Sequence, residues 1–108
     1  MITVEMHRDG KGLYRGFHIH GHADGYEKDG EYDLICASVS AITLTIAGGL
    51  QDVLHRDGTY DSDFGFMNVE LSTPGDGESE ALFRTMVHGL KAIEKRYPRH
   101  LKILETKG

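Results

Sequence analysis

The stretch from Leu34 to Gln51 contains no charged residue, and this feature constrains the fold more than any other. Its length approaches that of a membrane span. Serine, threonine and glycine residues lower its hydrophobicity, however, and Asp33 and Asp52 bracket it. We therefore predict a helix from about Leu34 to about His55 that does not enter a membrane and is buried on most of its sides.

Two strand patterns precede this helix. Residues 2–7 alternate between apolar and polar side chains, and residues 13–21 alternate again after a turn signal at residues 9–12. This arrangement predicts a β-hairpin. Residues 23–32 contain two glycines and several charged side chains, and we predict that they form a loop.

The second half of the chain contains further strands and another helix. Residues 59–64 and 66–71 indicate either a strand pair or one long strand bent at Gly65. Residues 78–96 have the periodicity of an amphipathic helix that Pro98 ends, and residues 101–104 suggest a short last strand. The order β-β-α-β-β-α-β predicts one α+β domain over residues 1–108. Its two layers are an antiparallel or mixed sheet of about five strands and two helices on one face.

The composition of the chain bears on its binding partners and on its cellular compartment. The formal net charge of −5 argues against a broad phosphate-binding surface, so we predict no direct nucleic-acid site. The single cysteine cannot form an intramolecular disulfide, which fits a reducing compartment. The first eight residues alternate and lack the apolar run of a signal peptide. We therefore expect a cytoplasmic protein without membrane contact.

Cys36 is the first candidate for chemistry. If Asp33 caps the helix, Cys36 is the third helical residue, close to unpaired backbone N–H groups that stabilise a thiolate. The thiolate is the nucleophilic form, and the same N–H groups could hold an oxyanion. The ordinary alternative is a small buried apolar residue beside Ile35 and Ala37.

His22 is the candidate base, because it follows the second predicted strand and opens the glycine-bearing loop. A histidine there could accept the thiol proton and later protonate a leaving amine. This role requires a fold that returns the end of the strand to the start of the helix. The ordinary alternative is a surface histidine. Asp33 also has two roles open to it, since it could cap the helix or orient a histidine.

His18, His20 and His22 form a second candidate site. Their spacing places three imidazoles on one face of a strand, and histidine is a common metal ligand. Cys36 could join them. Successive side chains on one face lie about 6–7 Å apart, so solvated histidines are the ordinary alternative, and we assign no metal.

Two blocks of the sequence together resemble a known family. Gly21-His22-Ala23, then a glycine-bearing loop, then the block DLICASVS from Asp33 to Ser40 are similar to the ribosomal-processing cysteine proteases of Gram-positive and related bacteria. The resemblance implies that Cys36 and His22 are catalytic, that Asp33 supports them and that Ser40 corresponds to a family serine. It implies no metal or organic cofactor.

The resemblance also implies a substrate and an assembly. The family removes a short N-terminal extension from a large-subunit ribosomal protein, so the precursor of such a protein is the expected partner. Members are typically homodimers, and the loop between the two blocks is expected to gate the site. In this sequence the loop includes Asp24, Gly25, Gly30 and Tyr32. Glu31 and Tyr32 look like additional residues before Asp33, compared with the family.

Two other functions remain open at this point. The chain could be a metal-binding protein that uses the three histidines, which predicts bound zinc. It could also be a non-enzymatic module that binds the ribosome, which predicts that Cys36→Ala leaves ribosome association intact.

Overall fold

The computed structural model describes residues 1–21, 31–63 and 65–107. Over these residues the elements follow the order β-β-α-β-β-α-β, which confirms the predicted α+β fold. The helices are α1 (Glu31–Gly48), which continues into a π-helical turn (Gly49–Val53), and α2 (Gly77–Arg96). The strands are β1 (Ile2–Arg8), β2 (Tyr14–His20), β3 (Gly58–Asp63), β4 (Phe66–Leu71) and β5 (Leu101–Lys107).

These strands form a mixed sheet in the order β3-β4-β2-β1-β5. β1 is parallel to β5 and antiparallel to β2, while β4 is antiparallel to β2 and β3. Side chains alternate between the two faces along each strand, and Val4, Phe17 and Val69 lie on one face, where none of them is more than 1% exposed. The sheet therefore has an apolar face and a polar face.

Both helices pack on the apolar face. Phe83 and Leu90 of α2 are fully buried there, and Ile35 of α1 is 1% exposed. The Phe83 ring lies 6.0 Å from the ring of Tyr14 and 6.2 Å from the ring of Phe17. Such tilted aromatic contacts add to the burial that stabilises the two-layer core.

The first turn of α1 differs from the prediction. The helix begins at Glu31, so Asp33 is its third residue and the predicted N-cap role of Asp33 is wrong. The predicted end near His55 is correct, because the π-helical turn extends the helix to Val53. His55 then takes a φ of 54°, a left-handed conformation typical of a helix end.

The exposure of α1 also differs from the prediction. The buried residues of the segment Leu34–Val53 all lie along one side of the helix, so it is not buried on most sides: Ile35, Val39, Thr43, Ile46 and Leu50. Leu34 and Val53 are 60% and 72% exposed. One sheet face and α2 cover a single side of this helix. By length and composition alone the segment would also suit a membrane span, which is weak support for one because core helices of soluble proteins share both properties.

Helix α2 begins with a capping box. The Asp76 carboxylate accepts a hydrogen bond from the Ser79 backbone N–H at 3.0 Å, and the Ser79 hydroxyl accepts one from the Asp76 N–H at 2.9 Å. The first of these bonds, together with the Arg56 guanidinium at 2.6 Å, holds the pKa of Asp76 below its usual value. The cap fixes where α2 starts and ties it to the segment that follows α1.

Candidate active site

A cleft of about 420 Å³ lies between α1 and the end of the sheet that carries the β3–β4 turn. Its α1 wall is formed by Cys36, Val39, Ser40, Thr43 and Leu44. These residues follow the spacing i, i+3, i+4, i+7 and i+8, which places them on one side of a helix. The opposite wall comes from the sheet and its connections: Ile2, Ile19, Gly21, Ser62, Asp63, Gly65, Phe66 and Met67.

Cys36 lies where the cleft meets the core. It is half-buried, packs against the apolar core and lines the cleft. It is the sixth residue of α1 rather than the third, because the helix begins at Glu31. The free N–H groups of a helix belong to its first turn, so the expected help from them to a thiolate or an oxyanion is weaker than predicted.

Ser40 lies one helical turn after Cys36 on the same wall and is exposed to the cleft. The Thr43 hydroxyl, further along this wall, is buried and donates to the Val39 carbonyl at 2.9 Å. Ser38 is off this wall, and its hydroxyl donates to the Leu34 carbonyl at 2.8 Å. Ser40 is thus positioned to contact whatever occupies the cleft beside the thiol.

Gly21 places the end of β2 in the wall that faces Cys36. Its φ is +92°, and a side chain added there would collide with the Met1 carbonyl. The histidine that follows it, His22, and the predicted loop residues Asp24, Gly25 and Gly30 lie outside the described residues. Tyr32 and Asp33 are described by their backbone alone, in the first turn of α1.

The β3–β4 hairpin contributes a part of the cleft that the sequence did not predict. Ser62, Asp63, Phe66 and Met67 line it on either side of the turn at Gly65, whose φ is +75°. Phe66 is 40% exposed although it is aromatic. No local sequence pattern marked this wall, because its place beside α1 depends on the pairing of β4 with β2.

Two histidines of the rival site, His18 and His20, lie on the other side of the sheet, and the third, His22, is outside the described residues. His18 and His20 alternate with Ile19, which is 8% exposed and lines the cleft. Their rings therefore belong to the polar face, where the ring of His18 packs edge-on against Phe66. Cys36 does not join them, since it lies on the apolar side of the sheet.

A five-stranded mixed sheet covered by two helices, with a cysteine opening onto a cleft beside it, is an architecture in which a thiol can act as a nucleophile. A family model described as "Cysteine protease Prp" matches residues 1–102. The chain belongs to the cysteine protease Prp family, and it is a cysteine protease.

Solved structures share this fold at low sequence identity. A crystal structure of an essential ribosomal processing protease Prp from S. aureus, in complex with a substrate peptide, superposes with a TM-score of 0.86 at 21% identity, covering 98% of this chain and 100% of that one. The same S. aureus protein with a covalently linked product peptide gives 0.82 at 24% identity, covering 98% and 100%. SMU.848 from Streptococcus mutans gives 0.85 at 20% identity, covering 100% and 99%. No curated protein matched the sequence significantly.

Proposed function

We propose that this protein is a ribosomal-processing endopeptidase in which Cys36 is the nucleophile and His22 the base. The observation that carries the proposal is the cleft, because it is lined both by Cys36 of α1 and by Gly21, the residue immediately before His22. The S. aureus relatives of the same fold, one with a substrate peptide and one with a covalently linked product peptide, support peptide binding in this architecture.

The proposed reaction proceeds in two steps. His22 accepts the proton of Cys36, and the thiolate attacks the carbonyl carbon of the scissile peptide bond. The C–N bond breaks, the new amine takes the proton from the imidazolium, and the acyl group remains on sulfur as a thioester. Water, deprotonated by His22, then hydrolyses the thioester and restores the thiol.

The neighbouring residues have supporting roles in this proposal. Ser40 contacts the peptide from the same wall of α1 as Cys36, one helical turn away. Asp33 orients His22 from the first turn of α1. The segment with Asp24, Gly25, Gly30 and Tyr32 closes over the bound peptide.

The proposed substrate is the N-terminal extension of a large-subunit ribosomal protein, processed in the cytoplasm where ribosomes assemble. The cleft is open on one side and walled by apolar side chains such as Val39, Leu44 and Met67. An extended N-terminal segment fits such a cleft, because it can enter without unfolding a domain.

We also propose that two copies associate through α1. Exposed helices normally carry charge on the solvent side, but this one carries none between Asp33 and Asp52. A second copy would cover this uncharged surface and remove it from water. Its exposed members outside the cleft are Leu34, Ala37, Ala41, Thr45 and Gln51.

Mass spectrometry of the precursor ribosomal protein, incubated with the wild-type enzyme or with Cys36→Ala, tests the proposed function. We expect loss of one discrete N-terminal peptide with the wild type only. An intact precursor after incubation with folded wild type would overturn the proposed substrate. Ribosome association retained without any cleavage would favour the binding module instead.

A further inference from the structure

Three ligand-type side chains meet on the polar face of the sheet, on the side away from the helices. One nitrogen each from His18 and His20 and one carboxylate oxygen from Glu5 all lie within 4.8 Å of one another. Glu5 on β1 is directly opposite His18 on β2, and His20 follows two residues later on the same face. The cluster therefore follows from strand pairing and alternation rather than from a flexible loop.

The spacing is close to that of a zinc site. Ligand atoms around a tetrahedral zinc ion lie about 3.3 Å apart, given metal–ligand distances of about 2.0–2.2 Å. The Nε2 atom of His20 and the Oε2 atom of Glu5 are already 3.3 Å apart. Because the His18 nitrogen lies within 4.8 Å of the other two ligand atoms, a small rotation of its side chain closes the site.

The two imidazoles are held by their surroundings. The ring of His18 lies 5.1 Å from the ring of Phe66 in an edge-on contact and 5.3 Å from the ring of His20. β2 is hydrogen-bonded on both sides, to β1 and to β4. Ligands on a paired inner strand lose little freedom when they bind a metal, so the site is largely preorganised.

The charges around the cluster favour a cation. Glu5 supplies a carboxylate, and the whole chain carries a formal net charge of −5. No lysine or arginine stands directly opposite either histidine among the described strand pairs. The residues at those positions are Glu5, Thr3, Asn68 and Phe66.

We propose that Glu5, His18 and His20 form a binding site for a divalent transition-metal ion of the zinc type. Two imidazole nitrogens and one carboxylate oxygen suit such an ion, and water completes the fourth position. The site is separate from the cleft, because Ile19 between the two histidines faces the opposite side of the sheet. A bound ion would cross-link β1 to β2 just before Gly21.

The alternative for these residues is an ordinary surface ion pair. The His20 and Glu5 side chains are 50% and 33% exposed, and a protonated histidine beside a carboxylate needs no metal. The ion pair and the metal site can be distinguished by His18, because the metal site requires this residue and the ion pair does not.

Zinc titration of tag-free protein tests the site, with Cys36→Ala as the background for every variant so that the thiol cannot bind the metal. We expect one zinc ion per chain by elemental analysis. His18→Ala and His20→Ala should each weaken zinc binding at least about tenfold, since even loss of a residue that only supports a ligand costs about 10–100-fold. His88→Ala removes an exposed imidazole from α2 and should leave the affinity unchanged.

Circular dichroism establishes that each variant is folded, and His18→Asn and His20→Asn replace any alanine variant that is not. Zinc should also raise the melting temperature of the background protein, and these variants should lose that shift. Unchanged zinc affinity in folded variants of His18 and His20 would overturn the proposal. An equal loss in His88→Ala would overturn it as well, by showing non-specific binding.

Discussion

Cys36 and Gly21 line the same cleft, the first from the second turn of α1 and the second from the position directly after β2. The sequence separates them by the whole predicted loop. A shared cleft is what a cysteine–histidine pair at positions 36 and 22 requires, because His22 is bonded directly to Gly21.

Replacing Cys36 by alanine should abolish cleavage without unfolding the protein. The thiol is small and half-buried, whereas its loss removes the covalent route altogether. We expect kcat/KM for the precursor to fall at least about a thousandfold. Ser38→Ala is the matched control, because Ser38 lies on α1 off the cleft wall and donates to the Leu34 carbonyl. Cleavage by folded Cys36→Ala at the wild-type rate would contradict the assignment.

Gly21→Ala should impair both stability and activity. The φ of +92° is strained for alanine, and the added methyl group would meet the Met1 carbonyl. We expect a loss of about 1–3 kcal/mol in the free energy of unfolding, measured with urea, and slower cleavage as this wall shifts. Gly10→Ala is the control, since nothing lies within 4 Å of a side chain added there. Equal stability of the two variants would argue against the strain.

Leu44→Ala should weaken substrate binding more than turnover. Leu44 is 53% exposed on the α1 wall of the cleft and offers an apolar surface to the peptide. We expect KM to rise about tenfold, equivalent to about 1.4 kcal/mol of lost apolar contact, with kcat little changed. Leu104→Ala removes another exposed leucine from β5, outside the cleft, and should leave KM unchanged. A fall in kcat at constant KM would instead assign Leu44 to the reacting geometry.

Tyr14→Phe should cost stability in a pH-dependent way. The Tyr14 hydroxyl donates a hydrogen bond to the Glu105 carboxylate. Burial, and then this hydrogen bond, raise the pKa of Tyr14 to about 12, and the same bond is the main reason that the pKa of Glu105 lies below its usual value. We expect the free energy of unfolding of the wild type to exceed that of the variant near neutral pH. The difference should be only about 1 kcal/mol, because the carboxylate is partly exposed.

The pH dependence of this stability difference follows from the directions in which the pKa values of Glu105 and Tyr14 are shifted. The Glu105 contribution is present above its ordinary pKa of 4.5 and is lost as the pH falls below that value. The Tyr14 contribution is present below its ordinary pKa of 10.0 and is lost as the pH rises toward about 12. The free energy of unfolding of the wild type minus that of Tyr14→Phe, measured with urea across this pH range, should therefore show a plateau with a decline at each end.

Tyr60→Phe provides the control for the acid decline. The Tyr60 hydroxyl donates to the Arg56 carbonyl at 2.8 Å, an acceptor that does not titrate. Burial raises the pKa of Tyr60 too, so its contribution should decline in alkali but not in acid. An acid decline of equal size in both variants would remove Glu105 as its cause.

Thr45→Arg should dissociate the proposed dimer. Thr45 is exposed on the uncharged side of α1, and its hydroxyl donates to the Ala41 carbonyl at 2.6 Å. Thr85 on α2 is also exposed and makes the equivalent bond to Ala81 at 2.7 Å, so Thr85→Arg is the matched control. Sedimentation equilibrium should give a dimer for wild type and control and a monomer for Thr45→Arg. A dimer in all three would place the interface elsewhere.

The order of elements was predictable because it depends on local patterns. Alternation in β1 and β2 and the helical period before Pro98 are properties of neighbouring residues, and each element formed where its pattern predicted. The detail that failed was also local: aspartate is a common N-cap residue, but the helix begins three residues before the predicted first residue, Leu34. As a result Cys36 lies in the second turn of the helix rather than in the first, where it was predicted.

The environment of α1 and the far wall of the cleft were less predictable. An uncharged helix pattern does not distinguish burial within one chain from a surface that meets another, so the exposure of Leu34 and Val53 was missed. The placement of Phe66 beside the cleft depends on the pairing of β4 with β2. That register joins distant segments, and no local signal specifies it.

The parallel pairing of β1 with β5 has a consequence for how the enzyme matures. The register joins Ile2 to Leu101, and the Ile2 N–H donates to the His100 carbonyl at 2.9 Å, so one cleft-lining residue is anchored by the last strand. Contacts so far apart in sequence form late, because a long loop must close first. A growing chain therefore cannot complete its cleft until β5 has left the ribosome, and peptidase activity should begin only after synthesis of that strand.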